Sequence, residues 1–180
     1  MVIKNIDTNW LQLILKEIKE DSNKPWITTA SKETSMFANN KLKSINYPYL
    51  HPTLNLKMMS DIRSFCQIYV RPGFNETLNF CKYTQTFANH SGIFGKMAIW
   101  KLEPKEEIEP HVDNLEYHSY IQRWIYNLNL DNSLTDTIID NSKLELQQGW
   151  FFELDLSLVH SFINKSSEPW YFLTFDTWKN

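Results

Sequence analysis

The spacing of apolar positions changes character near residue 92. In the first half, Leu11, Ile14, Leu15 and Ile18 fall at i, i+3, i+4 and i+7, with Lys16, Glu17, Lys19 and Glu20 turned the other way. That period predicts an amphipathic helix over 8–21, capped by the Thr8 hydroxyl. A second helix is expected over 75–89, with Asn75 as its cap and Gly92 near its stop. Between them the pattern is poor. Pro25, Pro48 and Pro52 interrupt residues 22–56, and 26–29 supports at most a short strand. Residues 60–70 are apolar and read equally as helix or strand, ended by Arg71, Pro72 and Gly73.

Beyond Gly92 the chain becomes short strands separated by turns. Strands are expected over 95–103, 108–113, 119–130, 134–139, 143–147, 150–154, 158–163 and 169–177. The turn signals are Asp131-Asn132-Ser133, Asp140-Asn141-Ser142, Gln148-Gly149 and Asn164-Lys165-Ser166-Ser167. Short strands at this spacing indicate a sandwich or barrel rather than a parallel α/β sheet. The expectation is one domain over 1–180: a helical and irregular part (1–92) packed on a β-barrel core (93–178).

Composition narrows the function. A chain of 180 residues is large enough for a real core. Its formal charge of −3 argues against a general nucleic-acid binder, which carries a basic face. No window is long and apolar enough to span a membrane, and the start lacks the pattern of a secretory signal. Cys66 and Cys81 lack C-x-x-C spacing, so two thiols in a reducing, cytoplasmic setting are expected. Aromatic residues make up 14%, with seven Trp, so the core or a pocket should be walled by large rings. Only three arginines occur, Arg63, Arg71 and Arg123; any planar grip on a carboxylate must use one of them.

The candidate chemistry begins at Glu109-Pro110-His111-Val112-Asp113. Residues i and i+2 share one face of a strand, so His111 and Asp113 can address a single ion. His160, in the strand-like run Leu158-Val159-His160-Ser161-Phe162-Ile163, is the candidate third donor. In a double-sheet jelly roll, strands this far apart in sequence can lie side by side. Two His and one carboxylate on one face of a metal leave positions open, as in non-haem Fe(II) oxygenases. Zinc accepts the same donors, so donor identity alone does not choose the metal. The alternative is plain: a His on an apolar strand is often a hydrogen-bonded core residue, and Asp113 can simply cap a turn. The remaining histidines, His51, His90 and His118, lie in loop-like or weakly patterned stretches.

Two runs, Met97-Ala98-Ile99-Trp100-Lys101-Leu102-Glu103-Pro104 and Ile108-Glu109-Pro110-His111-Val112-Asp113, resemble the aspartyl/asparaginyl β-hydroxylase-like family of Fe(II)/2-oxoglutarate oxygenases. Gly149-Trp150-Phe151-Phe152 is similar to that family's strand before the distal histidine. His160, Asn164 and Phe172-Leu173-Thr174-Phe175-Asp176 resemble its His-x-x-x-Asn and closing strand. The likeness extends from Phe94 to Asp176. It implies a mainly β, cupin-like double-stranded β-helix (jelly roll), with N-terminal helices packed against it. It implies Fe(II) on His111, Asp113 and His160. It further implies 2-oxoglutarate as cosubstrate, O₂ as oxidant, and an amino-acid side chain, free or in a peptide, as the hydroxylated substrate.

One departure stands out. Family members usually place an arginine ten residues after the distal histidine to hold the far carboxylate of 2-oxoglutarate; here that position is Trp170. Arg123 is the best remaining clamp, on a strand where some related oxygenases place a basic residue. On that strand Trp124, Tyr126, Leu128 and Leu130 form one face; Arg123, Ile125, Asn127 and Asn129 form the other. If the polar face lines the pocket, Arg123 and Asn127 bind the cosubstrate, with Trp170 as a wall; if it faces water, Arg123 is surface. Ile125 replaces a histidine that family members tend to carry. Arg71 is a weaker clamp. Two other readings stand beside the hydroxylase: a cupin-like metalloenzyme that never uses 2-oxoglutarate, and a binding protein that keeps the ligands without turnover.

Overall fold

Sheet pairing explains most of the second half of the chain. The computed structural model describes residues 2–3, 6–20, 27–28, 42–47, 75–92, 94–113 and 121–179. In chain order the elements are β1 (Val2–Ile3), α1 (Thr8–Glu20), β2 (Ile27–Thr28), β3 (Leu42–Tyr47), α2 (Asn75–Thr84) and β4 (Phe94–Leu102). They continue with β5 (Glu107–His111), β6 (Ile121–Asn127), β7 (Thr135–Ile139), β8 (Ser142–Leu144), β9 (Phe151–Leu154), β10 (His160–Asn164) and β11 (Trp170–Trp178). One sheet runs β1-β9-β6-β11-β4-β3-β2 and the other β5-β10-β7-β8, all antiparallel. This is the expected jelly roll, and the eight strands read from the sequence form within a few residues of their expected bounds. β1 and β3 were not anticipated. The stretch over 60–70, with Cys66, lies outside the described residues.

Strand alternation sorts the side chains into two cores. On β6 and β11, Trp124, Tyr126, Leu173 and Phe175 face the helices and pack with Leu11, Ile14, Ile18 and Phe80. Their neighbours Ile125, Trp170, Phe172 and Trp178 face the interior between the sheets, where they meet Ile108 and Phe162 of the second sheet. Phe162 stacks on Phe172 at 5.4 Å, joining the sheets directly. The polar face of β6 therefore points into the barrel. Pro110 lies in β5, which has no backbone N–H to give at that residue; β5 is accordingly an edge strand among those described. Asp140 and Asn141, both at positive φ (48° and 61°), make the two-residue turn joining β7 to β8.

Both helices start where expected, at Thr8 and Asn75, but their first turns are capped differently. The cap of α1 is Asp7, whose Oδ1 accepts from the Asn9 N–H at 2.9 Å, rather than Thr8. Glu17, expected in solvent, is buried against α2. Its carboxylate accepts from the backbone N–H of Glu76 (2.6 Å) and Thr77 (3.0 Å) and from the Thr77 hydroxyl (2.7 Å). The first-turn donors of α2 are thus satisfied from another helix, and Asn75 is not needed for that work. α2 also ends earlier than expected, at Thr84, with turns following.

His90 sits in that connection, as its loop-like context suggested, and is buried. The Gly92 N–H donates to its Nδ1 at 3.0 Å, so Nε2 carries the proton and donates to Thr84 Oγ1 at 2.9 Å. Thr84 passes the chain on to the Cys81 carbonyl at 2.7 Å. Gly92 has φ +73°, a conformation that favours glycine; a Cβ there would meet only the end of the exposed Gln85 side chain, which can move aside. Burial lowers the His90 pKa. A lowered imidazole contributes stability above its ordinary value of about 6.5 and loses it as pH falls through that value toward the folded one. Chemical-denaturation curves between pH 7.5 and 5.0, chosen to bracket about 6.5, should show a loss of stability in the wild type that is smaller in His90→Gln. Equal slopes in the two proteins would contradict the neutral, doubly bonded imidazole.

Candidate metal centre

The pairing of β5 with β10 places His111 directly opposite His160, with their rings 4.5 Å apart between centroids. The register shifts between His160 and Phe162, where β5 carries one extra residue between Ile108 and His111. In each histidine a backbone carbonyl two residues earlier fixes the ring. Nδ1 of His111 donates to the Glu109 carbonyl at 2.7 Å, and Nδ1 of His160 donates to the Leu158 carbonyl at 2.9 Å. A carbonyl can only accept, so Nδ1 holds the proton in both rings and Nε2 presents a lone pair. His160 is 3% exposed, and burial is the main cause holding its pKa below the ordinary range. A neutral imidazole is the form that binds a metal.

Asp113 follows β5 and brings Oδ1 to 3.7 Å from His111 Nε2. One ligand atom from each of His111, Asp113 and His160 lies within 4.8 Å of the others. An ion bound at about 2.0–2.2 Å from each donor is reached by small side-chain movements. Two imidazoles with anchored outer nitrogens and one carboxylate fit Fe(II), and fit zinc equally as donors. All three residues named from the sequence therefore meet at one point.

The proposed cosubstrate residues are arranged differently from the expectation. Arg123 does face the interior, but two carboxylates hold it. Its Nε and Nη2 donate to Oδ1 (2.7 Å) and Oδ2 (3.0 Å) of Asp176, the residue opposite it on β11. Its Nη1 donates to Asp113 Oδ2. Asn127 and Trp170 are both fully buried. Trp170 Nε1 donates to Asn127 Oδ1 at 2.7 Å, and Asn127 Nδ2 donates to the carbonyls of Leu130 and Gln147. These two residues tie the barrel together, and their polar groups are engaged within the core. Asp176 was visible in the sequence only as the end of the closing strand. Arg63, Arg71, His51 and His118 lie outside the described residues.

Asn164, in the family-like His-x-x-x-Asn, is also structural. Its Nδ2 donates to the carbonyls of Leu102 (3.0 Å), Glu103 (3.1 Å) and Glu168 (2.8 Å). Its Oδ1 accepts from the Ser166 N–H and hydroxyl. It pins the end of the His160 strand to the end of β4, across the two sheets.

The sequence profile of the Aspartyl/Asparaginyl beta-hydroxylase family matches residues 70–180. The chain belongs to that family. The match extends beyond the stretch from Phe94 to Asp176 and takes in the whole of α2. No curated protein sequence matches the chain. Among solved structures, a predicted oxalate decarboxylase from Thermotoga maritima is similar at 16% identity, over 47% of this chain and 67% of that one (TM-score 0.38). The cupin domain of Cnp3 from Schizosaccharomyces pombe is similar at 8% identity, over 48% of this chain and 56% of that one (TM-score 0.39). A putative sugar phosphate isomerase from Acidithiobacillus ferrooxidans is similar at 19%, over 49% and 51% (TM-score 0.36). No helix among the described residues is long and apolar enough to cross a membrane.

Proposed function

We propose that this β-hydroxylase family member is an Fe(II)/2-oxoglutarate-dependent dioxygenase that hydroxylates an amino-acid side chain, free or in a peptide. The observation that carries the reading is the convergence of His111, Asp113 and His160, with both imidazoles set by backbone carbonyls. The chemistry supplied by a bound Fe(II) is O₂ activation, in which decarboxylation of 2-oxoglutarate to succinate accompanies transfer of one oxygen atom to a C–H bond. The chain's own part is to supply the donors. His111 and His160 offer neutral nitrogen donors, and Asp113 offers the anionic one. Ile108, Ile125, Leu154 and Phe162 belong to the apolar core between the sheets, which reaches the site where the Phe162 ring lies 6.1 Å from that of His160.

The grip of Asp176 and Asp113 on Arg123 favours a second reading, a cupin-type metalloprotein that does not use 2-oxoglutarate. Anaerobic titration of the Fe(II) protein with 2-oxoglutarate separates the two. Chelation of the iron by the 2-oxo acid is expected to produce a visible charge-transfer band. Its absence at saturating ligand, with Fe(II) bound, would remove the dioxygenase reading and leave the second.

A further inference from the structure

Asp113 is the donor that its own backbone holds least. His111 and His160 stand on paired strands, each with a ring nitrogen tied to a carbonyl, whereas Asp113 lies beyond the end of β5. Its two oxygens also have different surroundings. Oδ1 faces His111 Nε2, and Oδ2 accepts from Arg123 Nη1. A guanidinium draws on the lone pairs of Oδ2, so Oδ1, the oxygen near His111 Nε2, is the better donor to a cation.

The guanidinium is itself fixed. Asp176, 1% exposed, takes Nε and Nη2 in a two-pronged contact that sets both the position and the plane of Arg123. Asp176 belongs to β11, which is paired on both sides, with β4 and with β6. Charge points the same way. Arg123 alone beside Asp113 would cancel the ligand's charge and repel a divalent ion; Asp176 leaves the trio net negative.

We propose that Arg123 and Asp176 are a positioning pair that presents Asp113 to the metal through a single oxygen, Oδ1. The inference rests on His111, Asp113 and His160 being the metal ligands, and it gives Arg123 a role other than clamping the far carboxylate of the cosubstrate.

Co(II) serves as the probe, because its visible spectrum reports the number and kind of its ligands. Wild type, Asp176→Asn and Arg123→Lys are titrated with Co(II), with far-UV circular dichroism and melting curves recorded for each. Asp176→Asn removes the charge on Arg123's anchor. Arg123→Lys keeps a cation but cannot span two carboxylates. Each is expected to weaken Co(II) binding by about 10–100-fold and to alter the visible bands of the bound ion. A folded variant of either kind with wild-type affinity and wild-type bands would overturn the pairing role, even if it melted earlier. Should Asp176→Asn fail to fold, Arg123→Lys decides alone. A wild type that binds no Co(II) in a one-to-one ratio would instead overturn the ligand assignment, and the positioning role with it.

Discussion

Replacing His160 with alanine is expected to lower Fe(II) affinity by more than about 100-fold, since even the loss of an outer partner of a ligand costs about 10–100-fold. His160 is the donor that most commits the barrel to the site. It comes from the other end of the folded core in sequence, and it meets His111 only because β10 pairs with β5. The substitution also removes a ring that borders His111 at 4.5 Å and Phe162 at 6.1 Å. Some stability will therefore be lost, and the melting curve of the metal-free variant must be measured alongside. Affinity is read anaerobically by competition with a chromophoric chelator. An affinity within about tenfold of wild type, less than a direct ligand should cost, would remove His160 from the centre.

The second large effect lies behind the site. Phe151→Ala should destabilise the fold by about 3–5 kcal/mol, the usual cost of emptying a buried aromatic position. Phe151 is fully buried, stacks on Trp124 at 5.1 Å and on Phe175 at 5.8 Å, and meets Phe80 and Phe87 edge-on. It is the ring where the helices meet the sheet. Its strand neighbour Tyr126 belongs to β6, whose opposite face carries Arg123. Urea unfolding of the two proteins measures the difference; a loss under about 1 kcal/mol would mean the surrounding rings close over the gap, against the dense packing of a normal core.

Most strands of the barrel were legible because they bury one or both faces and are bounded by turn residues; β8, which buries no residue, was legible from its turns. Asp140-Asn141 and Asn164-Lys165 announced their turns by composition. β3 was not legible: Leu42, Ser44 and Asn46 mix with Lys43, Ile45 and Tyr47, so neither face reads as apolar. Nor was β1, too short to carry a period. Glu17 looked solvated because a helical wheel does not know that a second helix end will arrive beside it.

At the site, His111, Asp113 and His160 were legible as donors, while the fate of Arg123 was not. Its partner Asp176 gives a usable signal in retrospect. It is a lone charge in the run Phe172 to Trp178, on the alternation that also turns Trp170 and Phe172 inward. An inward carboxylate needs a cation, and Arg123 is the one arginine among the strands expected beyond Gly92. Register, which decides that the two stand opposite, is set by the fold as a whole.

Pro110 gives the rim of the barrel a property unrelated to catalysis. An edge strand ordinarily offers a row of donors and acceptors on which another chain can build. Here Pro110, one residue before the candidate metal donor His111, has no N–H to offer. Among the described strands, an edge that contains a proline has one donor fewer to offer than an uninterrupted strand, which makes β5 a poorer template for the strand-by-strand self-association to which open β-sheets are prone.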